Sequence, residues 1–148
     1  MDDETYSKTL LQILRKHSVT AQSQLRKALS SLPEKATAMN IGVHPNQEPD
    51  GMFSILIHID GPDLYSLNKA ISDYRYLFHV RYQDGVVTPE VPMFDPFDTE
   101  FEVNDVIVDT ALIWLRELFS DFKNFAGDLP VTVFGEDGYG TRTPAKIG

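Results

Sequence analysis

A strict two-residue period of apolar side chains limits the possible folds of this chain more than any other feature. It covers 53–60, where every second residue is large and apolar: Phe53, Ile55, Ile57 and Ile59. A weaker alternation covers 37–44, and the residues between the two runs include two prolines and an Asp-Gly pair. Successive side chains of a strand point to opposite faces, so each run predicts a strand with one face toward a core. The turn-forming residues between the runs predict an antiparallel hairpin.

Helical periodicity accounts for most of the remaining apolar residues. Apolar side chains recur at steps of three and four over about 3–32, 64–78 and 103–122. The first segment has a weak point at 18–20, where two shorter helices are an alternative. The last segment is apolar around most of its circumference, and a helix of that kind is covered on more than one side. We therefore expect it to be the long central helix of the core, with Gly127 as its C-terminal stop.

Shorter strand-like runs lie at 78–82, 86–88 and 129–133. Pro89 and Pro92 limit the second of these to a short or edge strand. The predicted order is helix, strand, strand, helix, strand, short strand, helix, strand. It indicates one α+β domain over residues 1–148, with three helices on a mainly antiparallel sheet of about four to five strands. A crossover between the second and third strands would make the sheet mixed instead.

Composition narrows the class of protein. A chain of 148 residues can bury a sufficient core without a disulfide or a metal, and the absence of cysteine removes disulfide scaffolds, cysteine zinc sites and thiol nucleophiles. The net charge of −9 disfavours binding to nucleic acid and to anionic membranes. The acidic start lacks the features of a secretory signal, and no stretch has the roughly 20 apolar residues of a membrane span. A cytoplasmic protein is therefore the expectation.

The negative charge is concentrated in one quarter of the chain. Residues 82–115 contain no Lys, Arg or His, while eight acids give them a net charge of −8. These acids are Asp84, Glu90, Asp95, Asp98, Glu100, Glu102, Asp105 and Asp109. Phe94, Phe97 and Phe101 alternate with the acids, whereas residues 1–35 carry six bases and only four acids. The chain is therefore strongly polarised.

Two interpretations of this acidic segment are open. Acids steer a basic partner from a distance and aromatic side chains supply contact area, so the segment is a candidate partner-binding loop. In the alternative, the phenylalanines fill the core while the acids face water. The candidate partner-binding residues are Asp95, Phe97, Asp98, Glu100 and Glu102, with Tyr139 and Arg142 from the glycine-rich segment 135–144. That segment lacks the lysine of a phosphate-binding loop, and we expect a turn at its Asp-Gly pair.

The sequence contains no recognisable catalytic, metal-binding or cofactor-binding motif. The histidines form no H-E-x-x-H motif and no serine lies in a G-x-S-x-G elbow, so we assign no catalytic, metal or cofactor residue. The run His58-Ile59-Asp60 could place two metal ligands on one strand face, but structural or surface histidines are the simpler interpretation. In the predicted hairpin, His44 and His58 would be offset along the strands rather than opposite each other.

In general type, the chain resembles small, acidic, cysteine-free bacterial α+β proteins of unknown function, including some immunity proteins of contact-dependent or polymorphic toxin systems. The resemblance rests on the length, the run 94–109, the core helix around Trp114 and the loop 135–140. Immunity proteins of this kind bind a basic toxin through an acidic face and block its active site. The resemblance therefore implies a non-catalytic binding or inhibitor protein with a basic protein partner.

Two other hypotheses stay open. A small-molecule-binding protein or an enzyme would use a pocket between sheet and helices, containing His44, His58 or Arg81. A structural protein would form a homodimer or larger homo-oligomer through a strand edge or the first helix. Arg75 and Arg81 are, alternatively, candidate partners for the acidic segment.

Overall fold

The computed structural model describes residues 1–120 and 129–148 and shows an α+β fold. Its helices are α1 (Asp3–Lys16), α2 (Ser18–Ser30), α3 (Leu64–Ala70) and α4 (Val103–Ser120). Its strands are β1 (Ala38–Pro45), β2 (Phe53–Asp60), β3 (Tyr76–His79), β4 (Arg81–Gln83), β5 (Val86–Thr88), β6 (Val131–Gly135) and β7 (Ala145–Lys146). Short 3-10 turns lie at Ser72–Tyr74 and Glu136–Gly138. The predicted helix stop at Gly127 lies outside the described residues.

The hairpin predicted from the alternation is confirmed. β1 and β2 pair antiparallel, with Ile41 opposite Ile57 and His44 opposite Ser54. The four apolar residues of the β2 alternation are at most 2% exposed, while the residues between them are half-buried. The alternation therefore separates a face that joins the core from a second face, which carries His44 and His58.

The main sheet is mixed, which corrects the prediction of a mainly antiparallel sheet. Its strand order is β3-β2-β1-β6-β7, and β1 pairs with β6 in parallel. Parallel neighbours need a long crossover, and α4, which packs against both strands, is part of the chain between them. The expected alternative, a crossover between β2 and β3, does not occur, because those two strands pair antiparallel. β4 and β5 form a separate two-stranded hairpin.

The described residues contain four α-helices rather than the predicted three. The long first segment divides at His17, whose backbone N–H donates to Leu14 at the end of α1. The residue after the break, Ser18, accepts a hydrogen bond from the indole Nε1 of Trp114 at 3.0 Å. The break therefore ties the start of α2 to the core helix. α3 begins at a capping carboxylate, Asp63, but ends at Ala70, well before the predicted end of its apolar pattern.

Helix α4 is the centre of the core, as predicted. Eleven of its residues are buried, and Trp114 has no exposed surface. It contacts α1 on one side and strands β1 and β6 on the other. Its continuous apolar surface is explained by this double coverage. None of the described helices is long and apolar enough to cross a membrane.

Candidate functional site

The segment 94–102, called the acidic loop below, is fastened to the core at both ends by aromatic side chains. Phe94 packs edge-to-face on the buried Tyr6 with ring centroids 4.8 Å apart, and Phe101 lies 5.8 Å from the same ring. Phe94 and Phe101 also contact each other, at 5.6 Å. The backbone N–H of Phe94 donates to the carbonyl of Asp50 at 2.9 Å. The interpretation in which phenylalanines fill the core therefore holds for these two.

Phe97, between those anchors, points away from the core. Its side chain is 89% exposed, the highest value among the large apolar residues of the described chain. It lies in a turn in which the Asp95 carboxylate accepts from the Phe97 N–H and the Asp95 carbonyl accepts from the Asp98 N–H, each at 3.0 Å. Side-chain bonds of this kind stabilise a turn locally. The turn therefore presents Phe97 to solvent on an ordered backbone.

The exposed carboxylates around Phe97 have no ionic partner within the part of the chain that the structure describes. Asp95, Asp98, Glu100 and Glu102 are all exposed, and none of them forms an ion pair with a described base. The candidate pairing with Arg75 or Arg81 is likewise not formed. Uncompensated charge of one sign raises the potential at the surface and attracts a partner of the opposite sign.

Acids from the start of the chain extend this surface, which sequence reasoning missed. A groove beside the acidic loop is lined by Asp2, Asp3, Glu100 and Phe101. Asp2 caps α1 by accepting from the Thr5 N–H at 2.7 Å, so the helix start brings these carboxylates to the loop. The contact joins residues about a hundred positions apart, and no local pattern indicates it.

The remaining acids of the segment have a different role. Asp105 accepts from the backbone N–H of Gly140 at 2.8 Å, and Asp109 accepts from both the N–H and the hydroxyl of Thr141 at 2.8 and 2.7 Å. These α4 carboxylates hold the loop after β6 in place. The acidic segment thus divides into a structural part on α4 and an exposed part in the acidic loop.

Tyr139 and Arg142 do not join Phe97 in one cluster. Tyr139 is half-buried and packs against the core. Arg142 is exposed and lines a groove of about 390 Å³ between α1 and α4, together with Asp3 and Asp109. Asp3 also lines the groove beside Glu100, so the two grooves share this residue.

The second face of the sheet carries a cluster of four polar side chains, called the histidine cluster below: His44, His58, Arg75 and Glu136. The two imidazoles meet Nε2 to Nε2 at 3.0 Å. Arg75 lies 3.1 Å from His58 Nδ1, and Glu136 lies 3.2 Å from His44 Nδ1. The histidines are offset along the strands, as predicted, but their rings meet above Gly42. A Cβ at Gly42 would overlap His44 and come within 2.7 Å of Phe134.

The histidine cluster lies outside three grooves of the described surface. Of the residues named for a small-molecule pocket, His44, His58 and Arg81, none lines these three grooves, and Arg81 lies in the separate β4–β5 hairpin. Burial, with further contributions from Arg75 and His44, lowers the pKa of His58. Within residues 1–120 and 129–148, no group of three or more His, Asp or Glu side chains is arranged to hold a metal ion.

Comparison with known proteins identifies a family. No curated protein and no solved structure matches the chain. A family profile, by contrast, matches residues 1–148. The chain therefore belongs to DUF6389, a family of unknown function.

Proposed function

We propose that this protein is a non-catalytic binding protein, of the immunity or inhibitor type, that engages a basic protein partner through the acidic loop. The observation that carries the proposal is the exposure of Phe97, at 89%, among carboxylates that have no described ionic partner. Exposing a large aromatic ring is unfavourable in water, and contact with a partner removes that cost.

The chemistry of the acidic loop fits the two parts of protein recognition. The carboxylates at 95, 98, 100 and 102 supply long-range attraction, which raises the association rate with a positively charged surface. The Phe97 ring supplies buried apolar area at the centre of the contact, where aromatic residues contribute most of the binding energy.

The anchoring of the loop also favours binding. Phe94 and Phe101 hold both ends against Tyr6, and the Asp95 turn orders the residues between them. A loop that is already ordered loses less conformational entropy when it binds. The loop is therefore suited to a partner surface of fixed shape, such as the active-site cleft of a basic enzyme.

Quantitative affinity capture from cells that express the chain tests this proposal. We expect the wild-type bait to retain a protein of positive net charge. Phe97→Ser removes the aromatic contact, and the combined variant D95N/D98N/E100Q/E102Q removes the attracting charge. Each should reduce the retained amount by roughly 10-fold or more, which is the usual size of a central interface substitution.

Two matched controls separate a local site from a general effect. Tyr65→Ser removes another ring, 74% exposed, on α3. The variant E34Q/E48Q/D84N/E90Q removes the same charge at four exposed positions outside the acidic loop. Both controls should retain the partner. Equal retention by wild type, Phe97→Ser and the loop variant would refute the proposed function.

A further inference from the structure

A groove of about 480 Å³ lies between the second half of α1 and the chain that follows β5. It is lined by Thr9, Ile13, Lys16, His17, Pro89, Glu90, Val91 and Pro92. Ile13, Pro89 and Pro92 are half-buried, so each keeps some exposed apolar surface. A cavity of about 150 Å³ already accommodates a benzene ring, so this groove has room for an aromatic side chain.

The two walls of the groove differ in charge. Lys16 belongs to the α1 wall and Glu90 to the opposite wall, and both side chains are exposed. Within residues 1–120 and 129–148, neither of them forms an ion pair. The α1 wall is part of a longer basic stretch, since residues 5–33 contain five bases and no acid. The groove therefore combines apolar surface with a positively charged wall on α1.

The acidic loop carries groups that complement this groove. The Phe97 side chain is 89% exposed, and the neighbouring Asp95 and Asp98 are exposed and form no ion pair with a described base. An apolar ring between carboxylates matches an apolar groove beside a lysine. Glu90 repels these carboxylates, so a loop that enters the groove must turn them toward Lys16 on the α1 wall.

The loop of one molecule does not occupy the groove of the same molecule. Its aromatic anchors hold it at the start of α1, beside Asp2 and Asp3, whereas the groove lies along residues 9–17 of that helix. The exposure of Phe97 places its ring in water. A contact between the loop of one copy and the groove of another joins two different surfaces, and contacts of this type close into rings or extend into chains.

We propose that the groove between α1 and residues 89–92 binds the acidic loop of a second copy of this chain, with Phe97 in the groove and its neighbouring carboxylates facing Lys16. This self-association needs no other protein and does not depend on the proposed function. Its consequence for that function does depend on it, because a loop held by another copy is withheld from a basic partner. Partner binding and self-association then compete for the same loop.

Sedimentation velocity of the purified full chain, in about 150 mM salt, tests the self-association. Over about 1 µM to 1 mM protein, the range in which weak contacts become populated, the average mass of the wild type should rise above that of one chain. Phe97→Ser removes the ring, and Lys16→Glu reverses the charge of the groove wall. Each should raise the dissociation constant by roughly 10-fold or more. Both residues are exposed, so both variants should fold.

Three further variants separate the contact from general effects. Tyr65→Ser removes an exposed ring on α3, and Lys35→Glu reverses an exposed base outside the groove. Both should associate as the wild type does. Glu90→Gln should associate at a lower concentration than the wild type, because it removes the repulsion between the groove and the loop carboxylates.

Mixing the two defective variants tests whether loop and groove meet. Phe97→Ser keeps an intact groove and Lys16→Glu keeps an intact loop. Together they should form a one-to-one complex at concentrations at which each alone is a single chain. A wild type that stays a single chain over the whole range would refute the proposal, and so would a mixture that forms no complex. Because the sample contains only this chain, neither result affects the affinity capture that tests the proposed function.

Discussion

The acidic loop and the histidine cluster both combine aromatic and charged groups, but they differ in burial and in how many of those groups have a partner within the chain. In the histidine cluster every charge has a partner within the chain, from Arg75 at one end to Glu136 at the other. In the acidic loop the carboxylates form no ion pair with a base of the described residues. The Phe97 side chain is almost fully exposed to water. Polar groups that are satisfied internally serve the structure of the chain. The unpaired carboxylates and the exposed Phe97 ring are instead the basis of the proposed contact with a partner.

The largest effect on the free energy of unfolding should come from removing the aromatic anchor beneath the acidic loop. Tyr6→Ala deletes a fully buried ring that contacts Phe94 and Phe101, and should lower the free energy of unfolding by about 3 kcal/mol or more. Phe97→Ala, on the same loop, should change it by less than about 0.5 kcal/mol, because the ring is already in water. Urea unfolding measures both.

A conservative control refines this contrast. The Tyr6 hydroxyl is buried and has no hydrogen-bond partner within the described residues. Tyr6→Phe keeps the ring and removes an unsatisfied polar group, so stability should be unchanged or higher. If Phe97→Ala destabilised the protein as much as Tyr6→Ala, the ring would be part of the core and the comparison would fail.

The next largest effect should come from filling the space under the histidine cluster. Gly42→Val places side-chain atoms where the His44 ring lies and close to Phe134, and should cost about 1–3 kcal/mol of stability. Thr132→Val, on the same sheet face, adds almost no volume and should change stability by less than about 0.5 kcal/mol. Equal stability of the two variants would show that the rings do not meet above Gly42.

The two halves of the acidic segment should respond differently to the same substitution. Asp109→Ala removes both hydrogen bonds to Thr141 and should lower the free energy of unfolding by about 1 kcal/mol. Glu102→Ala, at an exposed acid of the loop, should change it by less than about 0.5 kcal/mol. Thermal unfolding at one pH measures the difference. An equal loss of stability in the two variants would contradict the division of the acidic segment into a structural part and an exposed part.

The smallest effect is a pH dependence of stability at the histidine cluster. The pKa of His58 is lowered in the folded protein, so the unfolded chain binds the proton more tightly. This stabilising contribution is therefore present above the ordinary value of about 6.5 and is lost as the pH falls toward the lower folded value. His58→Asn should reduce the loss of stability between pH 7.5 and pH 5, whereas Thr132→Val, on the same sheet face, removes no titratable group and should leave this loss unchanged. Parallel pH curves for wild type and His58→Asn would contradict this.

Local sequence patterns predicted the elements that depend on local chemistry. Alternation predicted the β1–β2 hairpin, and helical periodicity predicted α4. The parallel pairing of β1 with β6 was missed because strand order depends on how helices cover the sheet, which no local pattern records. The sequence indicated the division of the first helix near His17 only as an alternative. Trp114 donates a hydrogen bond to Ser18 at this division, but it is distant along the chain and no local pattern includes it.

The candidate sites show the same limit. The concentration of acids was visible in the sequence, but only the structure separates Phe97 from the anchors Phe94 and Phe101. The offset of His44 and His58 was predicted from the turn. That the two rings nonetheless meet depends on the absence of a side chain at Gly42 and on Arg75 and Glu136, which come from other elements.

The association rate of the captured partner, measured as a function of salt concentration, tests the role of the acidic loop most directly. For the wild type we expect the rate to fall by roughly 10-fold or more between about 20 and 300 mM salt, because screening removes the attraction between the loop and a basic surface. For D95N/D98N/E100Q/E102Q the low-salt rate should already be reduced and should change little with salt. A wild-type rate that is independent of salt, or that matches this variant at every salt concentration, would contradict the account.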